Sequence, residues 1–157
     1  MIRMSCAELN VVWVLKMRLD REQRRLQDLQ IIAESMTPIL DGMPHAKPLS
    51  YKVEQLATMT ADCKDTIANL TEQLVQAKFN LLSKLQSLKL NELYERVLSY
   101  HYVACLQFDA IAKLMSFTRD YVWKLHKRGL EFVGLTLEEM TALKKQLKSL
   151  DVAGCSA

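Results

Sequence analysis

The sequence predicts an all-α chain: a long, coiled-coil-like antiparallel helical hairpin, then a C-terminal helix-turn-helix module, then a short terminal helix. Three observations predict it. Breakers are scarce, with 4 Gly and 3 Pro in 157 residues, and a chain poor in breakers favours long uninterrupted helices. All three prolines fall between Thr37 and Pro48, so the N-terminal region is divided at one place. On both sides of that break apolar residues recur at spacings of three and four, and only beyond Asn91 does the pattern shorten into separate segments.

The first helix covers about residues 7–36. Its apolar seam reads Val12, Leu15, Leu19, Leu26, Leu29, Ala33 and Met36, with Glu22 as the polar member, a heptad-like pattern. The apolar start of this helix, Leu9 to Leu15, faintly imitates a signal peptide. Asn10 interrupts it, Lys16 and Arg18 follow, and no small-residue cleavage site appears. The run is also too short to span a bilayer. The basic cluster Arg21 to Arg25 fits either a nucleic-acid contact or a solvated helix face.

Residues 37–49 form a Pro/Gly-rich loop, Thr-Pro-Ile-Leu-Asp-Gly-Met-Pro at its centre, where the helix is expected to stop. Ser50 is the expected N-cap of the second helix. That helix, about 51–90, carries the seam Val53, Leu56, Thr60, Cys63, Ile67, Leu70, Leu74, Ala77, Leu81, Leu85 and Leu88. At ~1.5 Å per residue it reaches about 60 Å, against about 45 Å for the first helix. A dozen linking residues suffice to fold the two back antiparallel. The length mismatch leaves Leu81 to Leu88 to be covered by the C-terminal part or by a second subunit. Thr60 and Cys63 make mid-seam small and mildly polar, as in close helix packing, a ligand pocket or a redox switch.

Residues 91–133 form the module. A helix over 92–103 has Leu93, Val97, Leu98 and Tyr102 as core positions. After a connection at 104–107, a two-turn helix over 108–115 is followed by the turn Ser116-Phe117-Thr118, with Thr118 as N-cap of a third helix over 119–132. A short helix, a tight turn and a longer helix with basic residues is the helix-turn-helix layout. Arg119, Tyr121 and Lys124 should project outward. Val122, Leu125 and Leu130 should face Ile111 and Ala112. Beyond Gly134, Thr136-Leu137-Glu138-Glu139 has the form of a capping box. Leu137, Met140, Leu143, Leu147 and Leu150 then line one face of the terminal helix in 134–157.

The pattern Glu95-Arg96-x-Leu98, Tyr102, Phe108, Ile111-Ala112, Thr118-Arg119-x-x-Val122-x-x-Leu125 and Arg128-x-Leu130 resembles region four of bacterial sigma factors. Together with hairpin and loop, it is similar to small prophage-encoded, sigma-region-four-like regulators of Gram-positive bacteria, related to RinA and ArpU. The resemblance implies a sequence-specific transcriptional regulator that reads the major groove with helix 119–132. Arg119, Asp120 and Lys124 would then read bases, on one face, since Arg pairs with guanine and a carboxylate accepts from cytosine. Thr118, Tyr121, Trp123, Lys127 and Arg128 would complete the DNA contacts, Lys127 and Arg128 on phosphates. Trp123 either covers a thymine methyl or packs against the module's first helix. Two positions depart from the family pattern: Gln107 stands in place of a capping Thr or Ser, and Gly129 in place of Ala, beyond which the helix is expected to fray. No segment resembles the sigma regions that bind core polymerase or melt DNA.

The net charge of +3, from 21 basic and 18 acidic residues, creates no strong overall field, so DNA binding must come from a local patch. Cys6, Cys63, Cys105 and Cys155 are too scattered for a disulfide scaffold or a zinc site. They read as reduced thiols of a cytoplasmic protein. No catalytic constellation and no phosphate-binding glycine loop is found, so neither an enzyme nor a cofactor is expected. The expected partners are double-stranded DNA, RNA polymerase and a second copy of the chain as a dimer, with no membrane. The alternative is a phage structural or interaction protein whose hairpin acts while the helix-turn-helix is vestigial.

Overall fold

A computed structural model of the chain describes residues 3–40 and 47–155, with side chains described for 3–36 and 51–149. Every regular element among them is helical: α1 (Cys6–Leu40), α2 (Lys47–Ser87), α3 (Glu92–Leu98), α4 (Phe108–Met115), α5 (Arg119–Val133) and α6 (Leu137–Cys155). A π-helical turn, Ser99–Val103, directly continues α3. None of the described helices is long and apolar enough to cross a membrane.

The expected loop at 37–49 is shorter than its prolines suggest. α1 continues through Thr37 and Pro38 to Leu40, and α2 already starts at Lys47. Pro38 falls in the last turn of α1, where one lost backbone bond ends little helix. Pro48 falls in the first turn of α2, where an N–H would have no intrahelical partner. Ser50 therefore lies inside α2 and is not its N-cap. Residues 41–46 of the expected loop, with Gly42 and Pro44, lie outside the described residues.

The chain divides into two compact units, one of residues 18–73 and one of 1–17 with 74–157. The expected 1–90 segment is thus shared between them. Within 18–73 the seam read from the sequence is covered in part, and its members Met36 and Val53 are exposed. Leu19, Leu29 and Cys63 are buried, and the Cys63 thiol donates to Glu22 O at 3.3 Å and to Glu22 Oε2 at 3.6 Å. Glu22, the polar seam member, thereby accepts from the polar member opposite. Burial first, then the bond to Glu22, pushes the Cys63 thiol up, which keeps it protonated and unreactive.

The second unit carries the larger core. Val97, Ile111, Ala112, Met115, Val122 and Leu125 form one buried cluster, with Leu93, Tyr94, Tyr100, Leu106 and Phe108 packed on it. The start of α1 is buried here too, at Met4, Leu9, Val12 and Trp13. Two reciprocal caps set the helix starts. Ser5 N donates to Glu8 Oε2 at 2.8 Å while Glu8 N donates to Ser5 Oγ at 3.3 Å, and Thr136 and Glu139 repeat the pattern at α6. Glu139 also pairs with Arg3 at 2.8 Å, and Asn10 Nδ2 donates to Gln146 Oε1 at 2.6 Å, which ties α6 to the start of the chain. Leu81 and Leu85, expected to be covered by the C-terminal part or by a second subunit, are buried within this unit.

Candidate functional site

α5 begins at Thr118, whose extended backbone and side-chain oxygen, accepting from Tyr121 N at 3.3 Å, make the expected N-cap. The turn before it is closed by Ser116 in the left-handed conformation (φ 57°) and by Phe117 N donating to Ala112 O at 3.0 Å. The Gln107 side chain makes no cap bond to α4. α5 does not stop at Gly129. It continues to Val133 with Leu130 and Val133 buried, and ends on Gly134 at φ 91°. A Cβ on Gly129 would lie 3.3 Å from Leu98 Cδ1 and 3.5 Å from Tyr94 Cβ, so this glycine serves the close approach of α5 to α3.

Val122, Leu125 and Leu130 face inward as expected, and Arg119, Asp120, Tyr121, Lys124, Lys127 and Arg128 are exposed. At about 100° per residue, the outward residues fall on two sides. Asp120, Lys124 and Arg128 follow one another at i, i+4, with Tyr121 beside them against Phe117 (ring centroids 4.9 Å). Arg119, Trp123 and Lys127 lie on the other side. The expectation that Arg119 shares a face with Lys124 is therefore corrected, because five residues of helix separate them by about 140°. Arg119 instead reaches Asp109 of α4, Nε to Oδ1 3.5 Å.

The Arg119 side of α5 borders a cleft of about 480 Å³ whose far wall is α6. Trp123 meets Phe108 of α4 edge to face (5.4 Å) and stacks on His126 (5.5 Å), and Lys144 Nζ of α6 lies 4.8 Å from its ring centroid. Among the described residues the ring contacts of Trp123 are to the module's second helix, its own helix and α6, and not to the first module helix as one of the two readings expected. The floor is aromatic. His101 stacks on Phe108 at 4.5 Å, and Tyr102 Oη lies 2.8 Å from His126 Nε2. The π-helical turn puts the adjacent residues His101 and Tyr102 both inward. Ala104 N donates to Ser99 O, five residues back, at 3.1 Å, and Trp13 Nε1 donates to His101 O at 2.9 Å. π-turns of this kind recur at functional sites.

Burial first, and His101 beside it second, hold His126 far below the ordinary imidazole range, at about 3. The ring is neutral and carries one hydrogen. The described partner of Tyr102 Oη is His126 Nε2, and which of the two donates follows the tautomer of the ring. Among the described residues, the ring Nδ1 is buried and meets no partner.

His101, His126, Lys144 and Lys148 are site residues that reading the sequence missed. His126 carried a local signal, since it lies at i+4 from Val122 on the inward side of α5. The lysines of α6 carried none, because only the return of α6 onto α5 brings them to the cleft. Among the described residues no group of three His, Cys, Asp or Glu side chains gathers as metal ligands. Comparison of the chain with protein-family models, with curated proteins and with solved structures finds no match.

Proposed function

We propose that the chain is a sequence-specific, DNA-binding transcriptional regulator of phage or prophage genes, with α4 and α5 acting as a sigma-region-four-like helix-turn-helix. The observation that carries this reading is the division of α5. Its apolar residues are buried against α3 and α4, while Asp120, Tyr121, Lys124 and Arg128 stand exposed along one continuous side. A capped helix with polar and cationic groups on its free face is what major-groove readout requires. Asp120 and Lys124 read bases from that side. Lys127 and Arg128 hold phosphates, and Thr118, Tyr121 and Trp123 border the same end. The helical hairpin is part of this reading. It is supported by two pairings that run in opposite chain directions, Glu8 with Lys84 and Glu22 with Cys63.

Selection of bound duplexes from a random pool tests the reading. Recovery of a consensus site, with affinity that falls as salt rises through counterion release, is the expected result. No binding at low salt, or a salt-independent affinity, overturns it. Lys127→Ala should weaken all sequences alike and reduce the salt slope by about one, whereas Lys124→Ala should relax preference at one base pair.

A second reading, a protein-interaction role for the helical pair, is favoured by one observation. Val75 and Phe79, one turn apart on α2, are 63% and 66% exposed. Surface of this kind suits a partner helix. We place the dimer contact there, and an RNA polymerase contact is the competing use of the same surface.

A further inference from the structure

The cleft between α5 and α6 has two features that DNA readout does not explain, although Lys127 on its rim is also the proposed phosphate contact. Its size, about 480 Å³, falls within the range of small-molecule sites, roughly 300–1,000 Å³. Among the described residues its lining also holds four cations, Arg119 (paired with Asp109), Lys127, Lys144 and Lys148, and no carboxylate. Below that rim the walls are aromatic on the α5 side (Phe108, Trp123) and aliphatic on the α6 side (Met140, Leu147).

We propose that this cleft binds a small aromatic carboxylate, its ring between Trp123 and the aliphatic face of α6 and its carboxylate among Lys127, Lys144 and Lys148. The inference goes beyond the DNA-binding reading and does not depend on it. A bare phosphate would satisfy the cations but gain nothing from the apolar walls, because a strongly hydrated anion does not seek them. A neutral hydrocarbon would use the walls but leave the lysines repelling one another without a counterion. An aromatic acid uses both. Lys144 is already drawn to the indole of Trp123, at 4.8 Å from its centroid, so an incoming carboxylate meets an ammonium held at the mouth by the ring quadrupole. Charge-assisted hydrogen bonds to that ammonium orient the head group. Among the described residues His126 Nδ1 is buried without a partner on the same floor, a polar group that a hydrogen-bonding ligand atom would satisfy.

The test uses the full chain, labelled with ¹⁵N, and follows the indole N–H resonance of Trp123, assigned with Trp123→Phe. The probes are 1-naphthoate, 1-naphthamide and 1-naphthylmethylammonium, with random-sequence duplex DNA in a separate arm. The expected result is a saturable, one-site shift with naphthoate, at roughly tenfold higher affinity than the amide and with no saturation by the ammonium. Lys144→Glu with Lys148→Glu, both on the exposed side of α6, should abolish the preference for the acid. Lys148→Gln, which removes one charge and keeps the first two methylenes, should reduce it in the same direction should the double variant melt early. Equal binding of acid and amide overturns the proposal, as does a non-saturating shift or an undiminished preference in the variants. A Trp123 shift with duplex DNA but not with naphthoate also overturns it and makes the cleft part of the phosphate-binding face. The naphthoate arm contains no DNA, so failure of the DNA-binding reading leaves its outcome readable.

Discussion

The burial of His126 makes the stability of the chain depend on pH in a direction that can be worked out. Its folded-state value, about 3, lies below the unfolded reference of roughly 6.5. Between those limits the unfolded chain binds the extra proton, so stability is fully present above about 6.5 and falls as pH drops. The slope approaches about 1.4 kcal/mol per pH unit well below 6.5. Glu8, lowered by its bond to Lys84, and Glu139, lowered by the Thr136 backbone N–H, add the same sign only in the carboxylate range. Urea unfolding at pH 7 and pH 5.5 therefore isolates the histidine. The midpoint should be lower at pH 5.5, and His126→Gln should flatten the difference. An unchanged slope in the variant would sink the assignment. The sequence reading had no access to this effect. Position 126 alternates onto the buried side of α5, but neutrality of the ring follows from its burial and then from His101, which arrives through the π-helical turn.

At the scale of elements, the turn and the crossing around α5 carry two opposite predictions. Ser116 holds a left-handed conformation at φ 57°, which costs an L-residue about 1–2 kcal/mol. Ser116→Gly removes that cost and adds unfolded-state entropy, so the net gain should be about 0.5–1 kcal/mol by thermal unfolding. A loss would mean that the serine side chain contributes more than the backbone conformation costs. Gly129 behaves in the other sense. With a Cβ already 3.3 Å from Leu98, Gly129→Val places branches inside the α3–α5 contact and should destabilise by roughly 1–3 kcal/mol, despite better helix propensity than glycine. The glycine looked like a weak point because propensity is read within one helix, and its reason lies in a second one. The caps were more legible. Thr118 and the Thr136–Glu139 box were visible as sequence patterns because capping is a contact of three residues' reach. The same pattern at Ser5–Glu8 was there to be read.

At the scale of the whole molecule, oligomeric state tests the placement of apolar surface. The reason for a dimer that rested on Leu81 and Leu85 has gone, since both are buried within the chain. Val75 and Phe79 remain. Sedimentation equilibrium at micromolar concentration should give a dimer mass, and Phe79→Glu should return it to a monomer without lowering the melting temperature. A monomer mass for the unaltered chain removes the dimer and leaves this surface to a different partner.

The sequence by itself determined the helices, because a 3.6-residue period, three clustered prolines and short-range caps are properties of neighbouring residues. It also determined which faces of α1, α2 and α5 are apolar, as Leu19, Leu29, Leu85, Val122 and Leu125 bear out by their burial. Only the tertiary structure decided what those helices build together. Arg3 and Asn10 meet Glu139 and Gln146, and Lys144 comes to lie over Trp123. The physical reason is range: periodicity reports that a face must be covered, and the covering partner is chosen by shape and charge across residues far apart in the chain, to which no local pattern refers.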